Sequence, residues 1–498
     1  MQLHDVYERA RLSRDARFDG QFYVGVKTTG IYCRPICPAN APKKENVAFY
    51  PSAAAASEAG FRPCLRCRPE CAPGTPAWLG TSTTVRRGLR LIADGALDDG
   101  SIEQLAERLG VTSRHLRRLF TQHLGASPLA IAHTQRLHFA KRLIDQTDLP
   151  MQEISIAAGY GSVRRFNDAF RNTYSRTPRE LRHRRPGRVQ ASDVITVRLP
   201  WRDPYDWDGI IAFLQGRATP GVEQVIDRCY LRTVAVGEGA GILECCPDDA
   251  DKSLRLTLHG VPTDRLFAAV QKVRELFDLD APVAEITDLL QRDRHLAKLL
   301  QANPGIRVPG AWDGFELTIR AILGQQVSVK AATTLAGRIA QRYGEKIGDR
   351  HPCPQFSNSR KWGQGCLSPI LLFPTPQKLA RARFNGIGLV QSRIDTIRRV
   401  SQAVCDGSLT FEHGQSTDEF RQSLMSIKGI GDWTAQYVAM RALKNPDAFP
   451  ATDLGLLKAA GESGPAGARK LRSRAEAWRP WRAYAAMLLW SSLSSSGG

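Results

Sequence analysis

A chain of 498 residues with 42% hydrophobic and 24% charged residues has room for several domains and the composition of a globular protein. Its 69 lysines and arginines outnumber 49 acidic residues and leave a net charge of +20, which points to a polyanionic partner, nucleic acid first, bound with salt-dependent affinity. No apolar run approaches the roughly 18 residues of a membrane span, and MQLHDVYERARL lacks the apolar centre of a signal peptide, so a cytoplasmic, nucleoid-associated protein is expected.

Four of the 11 cysteines cluster early: Cys33 and Cys37 form C-x3-C, and Cys64 and Cys67 form C-x2-C, 26 residues later. In a reducing compartment this spacing suggests a four-thiolate zinc site rather than disulfides, and spacing alone allows a purely structural knuckle. Such a site contributes roughly 10 to 16 kcal/mol, more than so short a segment draws from its core. Cys71 is an unassigned extra thiol. The stretches DARFDGQFYVGVKTTGIYCRPICP and GFRPCLRCRPE resemble the metal-binding domain of the Ada adaptive-response family. That resemblance implies one Zn2+ held by Cys33, Cys37, Cys64 and Cys67, with Cys33 also accepting a methyl group from a DNA methylphosphotriester. It further implies a switch: methylation takes the four-thiolate centre from −2 to −1 among Arg34, Lys43, Lys44, Arg62, Arg66 and Arg68, so repulsion from DNA falls.

Farther along, Ile102, Leu105, Ala106 and Leu109 sit at helical spacing behind Ser101 as cap. After Gly110 a second helix from about Ser113 turns Leu116, Leu119 and Phe120 inward and Arg114, Arg117 and Arg118 outward, the layout of a recognition helix. The unit recurs. Ile154, Ala157 and Ala158 lead through Gly159 to a helix from Ser162 that exposes Arg164 and Arg165 and buries Phe166 and Phe170, and a long helix, Leu129 to Gln146, joins the two. The arrangement, closing on YSRTPRELR, resembles the AraC-type DNA-binding domain.

Beyond the basic linker RRPGR, strands are expected at Val194 to Leu199, Tyr230 to Val236, Ile242 to Cys246 and Leu254 to His259, with helices around Trp207 and Leu266 packed on one side. PYDWDGIIAFLQGRATPGVE resembles the N-terminal domain of the 3-methyladenine DNA glycosylase II branch, which implies a supporting role. Cys245 and Cys246 read as small apolar strand residues.

The final segment centres on LMSIKGIGDWTAQYVAMRALKNPDAFPATD, a helix, a glycine turn, a second helix and a lone acid. Gly429 and Gly431 leave backbone N–H groups bare at the start of a helix, a natural phosphate site. With FELTIRAILGQQVSVKAA, LARARFNGIGLVQSRIDTI, FPATDLGL and WRPWRAYAAMLLW in order, the chain resembles the helix-hairpin-helix, Gly/Pro-Asp DNA glycosylases, the glycosylase II branch in particular. The resemblance makes Asp453 the catalytic carboxylate, a role that suits a reaction building positive charge on a sugar; Asp is also a favoured N-cap, and the two roles are compatible. It places Trp433, Tyr437 and Trp481 around a flipped, cationic base, whose charge an aromatic face attracts. Bifunctional relatives carry a lysine two residues after the second hairpin glycine; here Trp433 stands there, which implies water as nucleophile and no lyase step. Lys428, Gly429, Ile430 and Gly431 would grip phosphate, with a monovalent cation as in similar hairpins, and Gln325 or Gln326 would fill the gap left by the base.

Between Tyr343 and Phe373 the aperiodic DRHPCPQFSNSRKWGQGCLSPI reads as a loop insertion, SSLSSSGG reads as a disordered tail, and no PCHRV-type methyltransferase motif occurs. The expected architecture is multidomain and mainly α: a zinc-bound α+β domain over 1–76, an all-α helix-turn-helix domain over 83–185, an α+β antiparallel-sheet domain over 192–281 and an all-α glycosylase domain over 282–491. The implied activity is excision of alkylated bases such as 3-methyladenine, fused to a methylphosphotriester-sensing regulator; the partners are damaged duplex DNA, promoter sites and RNA polymerase, with the chain a monomer. Two alternatives stand beside it: a regulator whose glycosylase half only binds DNA, and a glycosylase merely delivered to DNA by its AraC-like half.

Overall fold

The structure, a computed structural model, describes residues 3–73, 83–98, 100–182, 194–237, 239–347, 371–411 and 416–494. The first region is a four-stranded sheet in the order Val47–Tyr50, Tyr23–Val26, Ile31–Cys33, Arg62–Pro63, the last pair parallel, with the helix Ala53–Glu58 beside it. Its apolar residues divide into two small clusters, one around Tyr23, Tyr32 and Ala56, the other around Phe22 and Val24. Cores of this size do not hold a domain unaided.

This region is docked on its neighbour. The Ser52 hydroxyl caps its own helix and donates to the Leu124 carbonyl at 2.7 Å, and the Tyr32 hydroxyl meets His138 Nε2 at 3.0 Å. Arg68 reaches from this region to Asp145. His138 and Asp145 both lie on the helix Pro128–Gln146, the expected linking helix. Around it stand two helix pairs, Ile102–Arg108 with Ser113–Leu124, and Met151–Ala157 with Val163–Tyr174. The first opens on a capping box in which Ser101 and Gln104 satisfy each other's backbone N–H groups. The linker RRPGR lies outside the described residues.

Five antiparallel strands follow, in the order Val194–Pro200, Ser253–His259, Gly239–Asp248, Cys229–Val236, Glu223–Ile226. The four expected strands are present; Glu223–Ile226 was not expected, because EQVI is an edge strand too short and polar to show an alternation. A second correction concerns the thiols. Tyr230 faces Cys245, so the next pair across the ladder is Cys229 and Cys246, and these form a disulfide with Cα atoms 4.4 Å apart. Cys245 is a free, fully buried strand residue, as expected.

The sheet is clamped to the last domain by buried charges. Arg232 pairs with Glu223 at 3.4 Å and Glu316 at 2.7 Å, and Arg320 pairs with the same two carboxylates at 2.8 and 3.0 Å. Burial alone would raise Glu223, but Arg320 and Arg232 hold it at about 2. Its stabilising effect is therefore complete above the ordinary glutamate range and is lost as pH falls toward 2. Arg232→Met, which leaves Glu223 and Glu316 to share Arg320 alone, is expected to cost about 3–5 kcal/mol in urea denaturation at neutral pH, with part of the deficit recovered at low pH; a cost under about 1 kcal/mol would mean the network is not a clamp.

The remaining described residues are mainly helical, and one core runs from Ala281 to Leu489. The segment expected as an insertion lies almost entirely outside the described residues, with His351, Cys353 and Cys366. Its two stems are described and pair with each other, Glu345 with Leu372 and Lys346 with Leu371. The expected disordered tail is corrected in part: the helix Arg482–Ser494 carries through four of its serine and leucine residues.

Candidate active site and metal centre

The glycine turn joins the helices Thr417–Met425 and Asp432–Arg441. Only one glycine is forced by backbone angle. Gly429 has φ +101°, and a Cβ there would lie 2.0 Å from Thr396 Oγ1, whereas Gly431 has an ordinary φ of −103° and open space where a Cβ would stand. Gly431 is also the N-cap of the second helix and supplies no side chain to its first N–H groups, which stay open to an anion. Lys428 is exposed and Ile430 is buried beneath the turn. The Lys428 carbonyl accepts from Thr396 Oγ1 and Arg399, and the Gly429 carbonyl accepts from Gln325, so a monovalent cation would compete with these donors.

Gly431→Ala is expected to leave thermal stability nearly unchanged while weakening binding to abasic duplex roughly tenfold, since a methyl group blocks the phosphate approach. Gly429→Ala is expected to lose stability as well. Equal loss of stability in both would show that Gly431 serves the fold alone.

Beside this turn opens a cavity of about 1350 Å³. Asp453 lies on its wall as N-cap of Leu454–Ala459, its Oδ1 accepting from Leu456 N at 2.9 Å. Two indoles fix the rest of the carboxylate: Trp433 Nε1 donates to Oδ2 at 2.8 Å and Trp490 Nε1 to Oδ1 at 2.9 Å. Trp433 stacks on Tyr437 with ring centroids 5.4 Å apart and planes at 7°, and Trp490 stands edge-on to Tyr437 at 6.3 Å. Burial would raise the Tyr437 phenol, but the Arg441 and Arg217 guanidiniums pull it below its ordinary value, Arg441 donating to its oxygen at 2.6 Å.

Trp481 requires correction. It is 4% exposed in the core, edge-on to Tyr484, and it is not on the cavity wall. Trp490 takes the third aromatic place. The segment WRAYAAMLLW is apolar almost throughout, so no periodicity marked which residue faces the cavity.

The two glutamines separate. Gln325 Nε2 donates to the Gly429 carbonyl and to Thr434 Oγ1, both at 3.1 Å, tying its loop to the turn. Gln326 is exposed at φ +55°, a left-handed conformation that projects it at the cavity mouth near Val327 and Val329.

At the other end of the chain, the Sγ atoms of Cys33, Cys37, Cys64 and Cys67 lie within 4.8 Å of one another. Hydrogen bonds from Cys33, Cys37 and Cys67 pull Cys64 far down, while Cys33 is pushed up, first by Cys37. A cluster so crowded resists further ionisation without a cation, and four sulfur donors fit one Zn2+, which would keep all four as thiolates. Cys64 and Cys67 are buried; Cys33 and Cys37 are partly exposed. Arg34 is committed to Asp19 and Arg68 to Asp145, whereas Lys43, Lys44, Arg62 and Arg66 are exposed around the site. On the helix-turn-helix domain, Arg114, Arg117, Arg164 and Arg165 are all exposed, with Leu116, Phe120, Phe166 and Phe170 buried behind them.

Compared with known proteins, the chain is 41% identical over 499 aligned positions to a probable bifunctional transcriptional activator/DNA repair enzyme AlkA of Mycobacterium tuberculosis, covering 99% of this chain and 97% of that one. The chain belongs to this family. Its parts match in turn the metal binding domain of Ada (7–70), a helix-turn-helix domain (105–184), the AlkA N-terminal domain (196–313) and the HhH-GPD superfamily of base excision DNA repair proteins (319–483). Each half of this bifunctional family also has relatives of its own. DNA-3-methyladenine glycosylase 2 of Escherichia coli is 34% identical over 59% of this chain and 95% of its own length, and the bifunctional transcriptional activator/DNA repair enzyme Ada of the same organism is 34% identical over 34% of this chain and 47% of its own.

Proposed function

We propose that the C-terminal half is a monofunctional DNA glycosylase that hydrolyses the N-glycosidic bond of alkylated bases, 3-methyladenine among them, and that the N-terminal half is a methylphosphotriester sensor governing promoter binding. The observation that carries the first part is Asp453, a carboxylate fixed by two indole N–H groups on the wall of an aromatic cavity beside an open helix N-terminus. Phosphate held at Lys428 to Gly431 would set the DNA in register, and Gln326 would take the place of the extruded base. The cationic base would lie against Trp433, Tyr437 and Trp490. As its bond to the sugar breaks, Asp453 would stabilise the positive sugar carbon and accept a proton from the attacking water. With tryptophan at 433 and no lysine among the described residues of the cavity wall, no amine there would form a Schiff base, so the strand would stay intact at the abasic site.

In the sensor, Cys33 would form an S–C bond to the methyl carbon of a phosphotriester while the C–O bond breaks and the phosphodiester leaves as its anion. Partial exposure of Cys33 and burial of Cys64 and Cys67 agree with this choice. The one-unit fall in negative charge would strengthen DNA binding beside Lys43, Lys44, Arg62 and Arg66. The four domains proposed for these tasks are those expected from the sequence, 1–76, 83–185, 192–281 and 282–491.

The test is release of free base from methylated duplex DNA, with strands examined before and after alkali. Free 3-methyladenine with breaks only after alkali is the expected result. Breaks without alkali would replace water by an enzyme amine, and no release from a folded, DNA-binding protein would favour the regulator whose glycosylase half only binds.

A further inference from the structure

Strand register gathers two sulfurs, a carboxylate and an imidazole on one face of the five-stranded sheet. Tyr230 pairs with Cys245 and Ile242 with His259, so Cys229, Cys246, Glu244 and His259 share the face opposite the core of Tyr230, Leu243 and Cys245. One end of this face is covered: Ile347 and Leu372, at the base of the insertion, pack on Ala240 and Ile242. Toward the other end Cys229 and Glu244 are half-buried and reach solvent, while Cys246 is buried.

The donor atoms are close. Cys229 Sγ, Cys246 Sγ and a Glu244 carboxylate oxygen lie within 4.8 Å of one another, with Cys246 Sγ 3.5 Å from Glu244 Oε1. The other oxygen, Glu244 Oε2, is 4.0 Å from His259 Nε2. A disulfide alone gives no reason for that carboxylate, because an oxidised sulfur has no proton to donate to it. Once the bond is reduced, the same atoms become two thiols and a carboxylate converging on one point. Two sulfurs and one oxygen suit a borderline-soft divalent cation such as zinc, and do not suit magnesium or calcium, which take oxygen ligands. His259 would then hold Glu244 from behind, the usual place of a partner to a ligating carboxylate. Two thiolates and a carboxylate carry −3, and a divalent cation brings that to −1. Arg255, exposed and directly across from Cys246, supplies a compensating positive charge.

We propose that Cys229, Cys246 and Glu244 form a second, redox-gated metal site, closed as the disulfide and taking one zinc-class cation when reduced. A dithiol reductant opens it. The reductant's thiolate attacks Cys229 Sγ, the more exposed sulfur, the S–S bond breaks, and Cys246 leaves as a thiolate that takes up a proton. The reductant's second thiol then displaces Cys229 from the mixed disulfide; two electrons and two protons have passed to the protein, and the reductant departs as its own disulfide. Zinc next replaces the two thiol protons with two S–Zn bonds. The sulfurs sit at the open end of the hairpin formed by Cys229–Val236 and Gly239–Asp248, so either link, S–S or S–Zn–S, keeps the same strands paired. The site is separate from the four-cysteine cluster, and it does not depend on which base the glycosylase half removes.

The test uses the full-length protein with its four-cysteine site already filled with zinc. One sample is treated with a dithiol reductant and then freed of it, the other is left oxidised, and a free-thiol count verifies the difference. Both are titrated calorimetrically with Zn2+ and with Mg2+. The expected result is a further equivalent of zinc bound by the reduced sample, none by the oxidised one, and no magnesium at this site in either. Cys229→Ser, at a half-buried position, should keep the wild-type circular dichroism and lose the further equivalent. Should that variant fail to fold, Glu244→Gln serves instead: it keeps both thiols and should bind the further zinc at least roughly tenfold more weakly, a change of about 1.4 kcal/mol. A disulfide that resists the reductant in the folded protein, reduced wild type that takes no further zinc, or wild-type zinc affinity in either folded variant overturns the proposal.

Discussion

Asp453→Asn is expected to reduce base release roughly 10³-fold while leaving affinity for abasic duplex within a factor of about three. Two effects add. The substitution removes the negative charge that would face the developing sugar cation, and it inverts a hydrogen bond. All the polar groups that fix Asp453 are donors: Leu456 N and Trp490 Nε1 on Oδ1, and Trp433 Nε1 on Oδ2. A carboxylate satisfies three donors at once. An asparagine cannot, because whichever way its amide turns, its NH2 points at an indole N–H. The natural orientation keeps Oδ1 on Leu456 and Trp490 and sets the amide against Trp433, so the stack of Trp433 on Tyr437 should loosen as well. Single-turnover release from methylated DNA measures the first effect, and Trp fluorescence follows the second. Release within tenfold of wild type would remove Asp453 from the chemistry, and its N-cap role would then be sufficient reason for its presence.

The same geometry bears on the reading in which the glycosylase half only binds DNA. Binding needs the hairpin and the open helix start, and has no use for an aromatic cavity with a carboxylate fixed inside it. Trp433 and Trp490 each spend their indole N–H on Asp453, a commitment that serves catalysis better than adhesion.

Much of this was legible in the sequence where local rules govern. The N-cap at Ser101, the arginine-faced helices and the four central strands follow from spacing alone, and the structure returns them within a few residues. Legibility ended where a role depends on contacts distant in sequence. Trp481 and Trp490 sit in one apolar run, and only packing divides them: the first lies buried against Tyr484, the second stands at the cavity against Tyr437 and Asp453. Gln325 and Gln326 are adjacent and alike; a positive φ on one and two hydrogen bonds to the hairpin from the other divide their tasks. Glu223 looks like an ordinary surface acid until Arg232 and Arg320 are brought to it from a neighbouring strand and from another domain. The Cys229 and Cys246 pair is a matter of strand register, which composition does not reveal.

Chelating the metal is expected to unfold the sensor and spare the glycosylase. The four-thiolate site supplies what the small apolar clusters around Tyr23 and Phe22 do not, on the order of 10 to 16 kcal/mol. Without it, the docking contacts from Ser52 to Leu124, Tyr32 to His138 and Arg68 to Asp145 have no rigid partner on the sensor side, and the linking helix is uncovered. The core running from Ala281 to Leu489 includes none of those residues, so base release should persist within about twofold, short of the tenfold that 1.4 kcal/mol represents. Limited proteolysis reads the outcome, with cleavage confined to residues before the linking helix after chelation and reversed by added zinc. Cys33→Ala supplies the complementary arm: three thiolates remain to hold the metal, so the sensor should stay partly protected while methyl acceptance from phosphotriester DNA disappears. A sensor that resists protease after chelation would show that its docking on the linking helix, rather than the metal, holds it folded; methyl acceptance by Cys33→Ala protein would move the acceptor to Cys37, the other thiol of the cluster that is partly exposed.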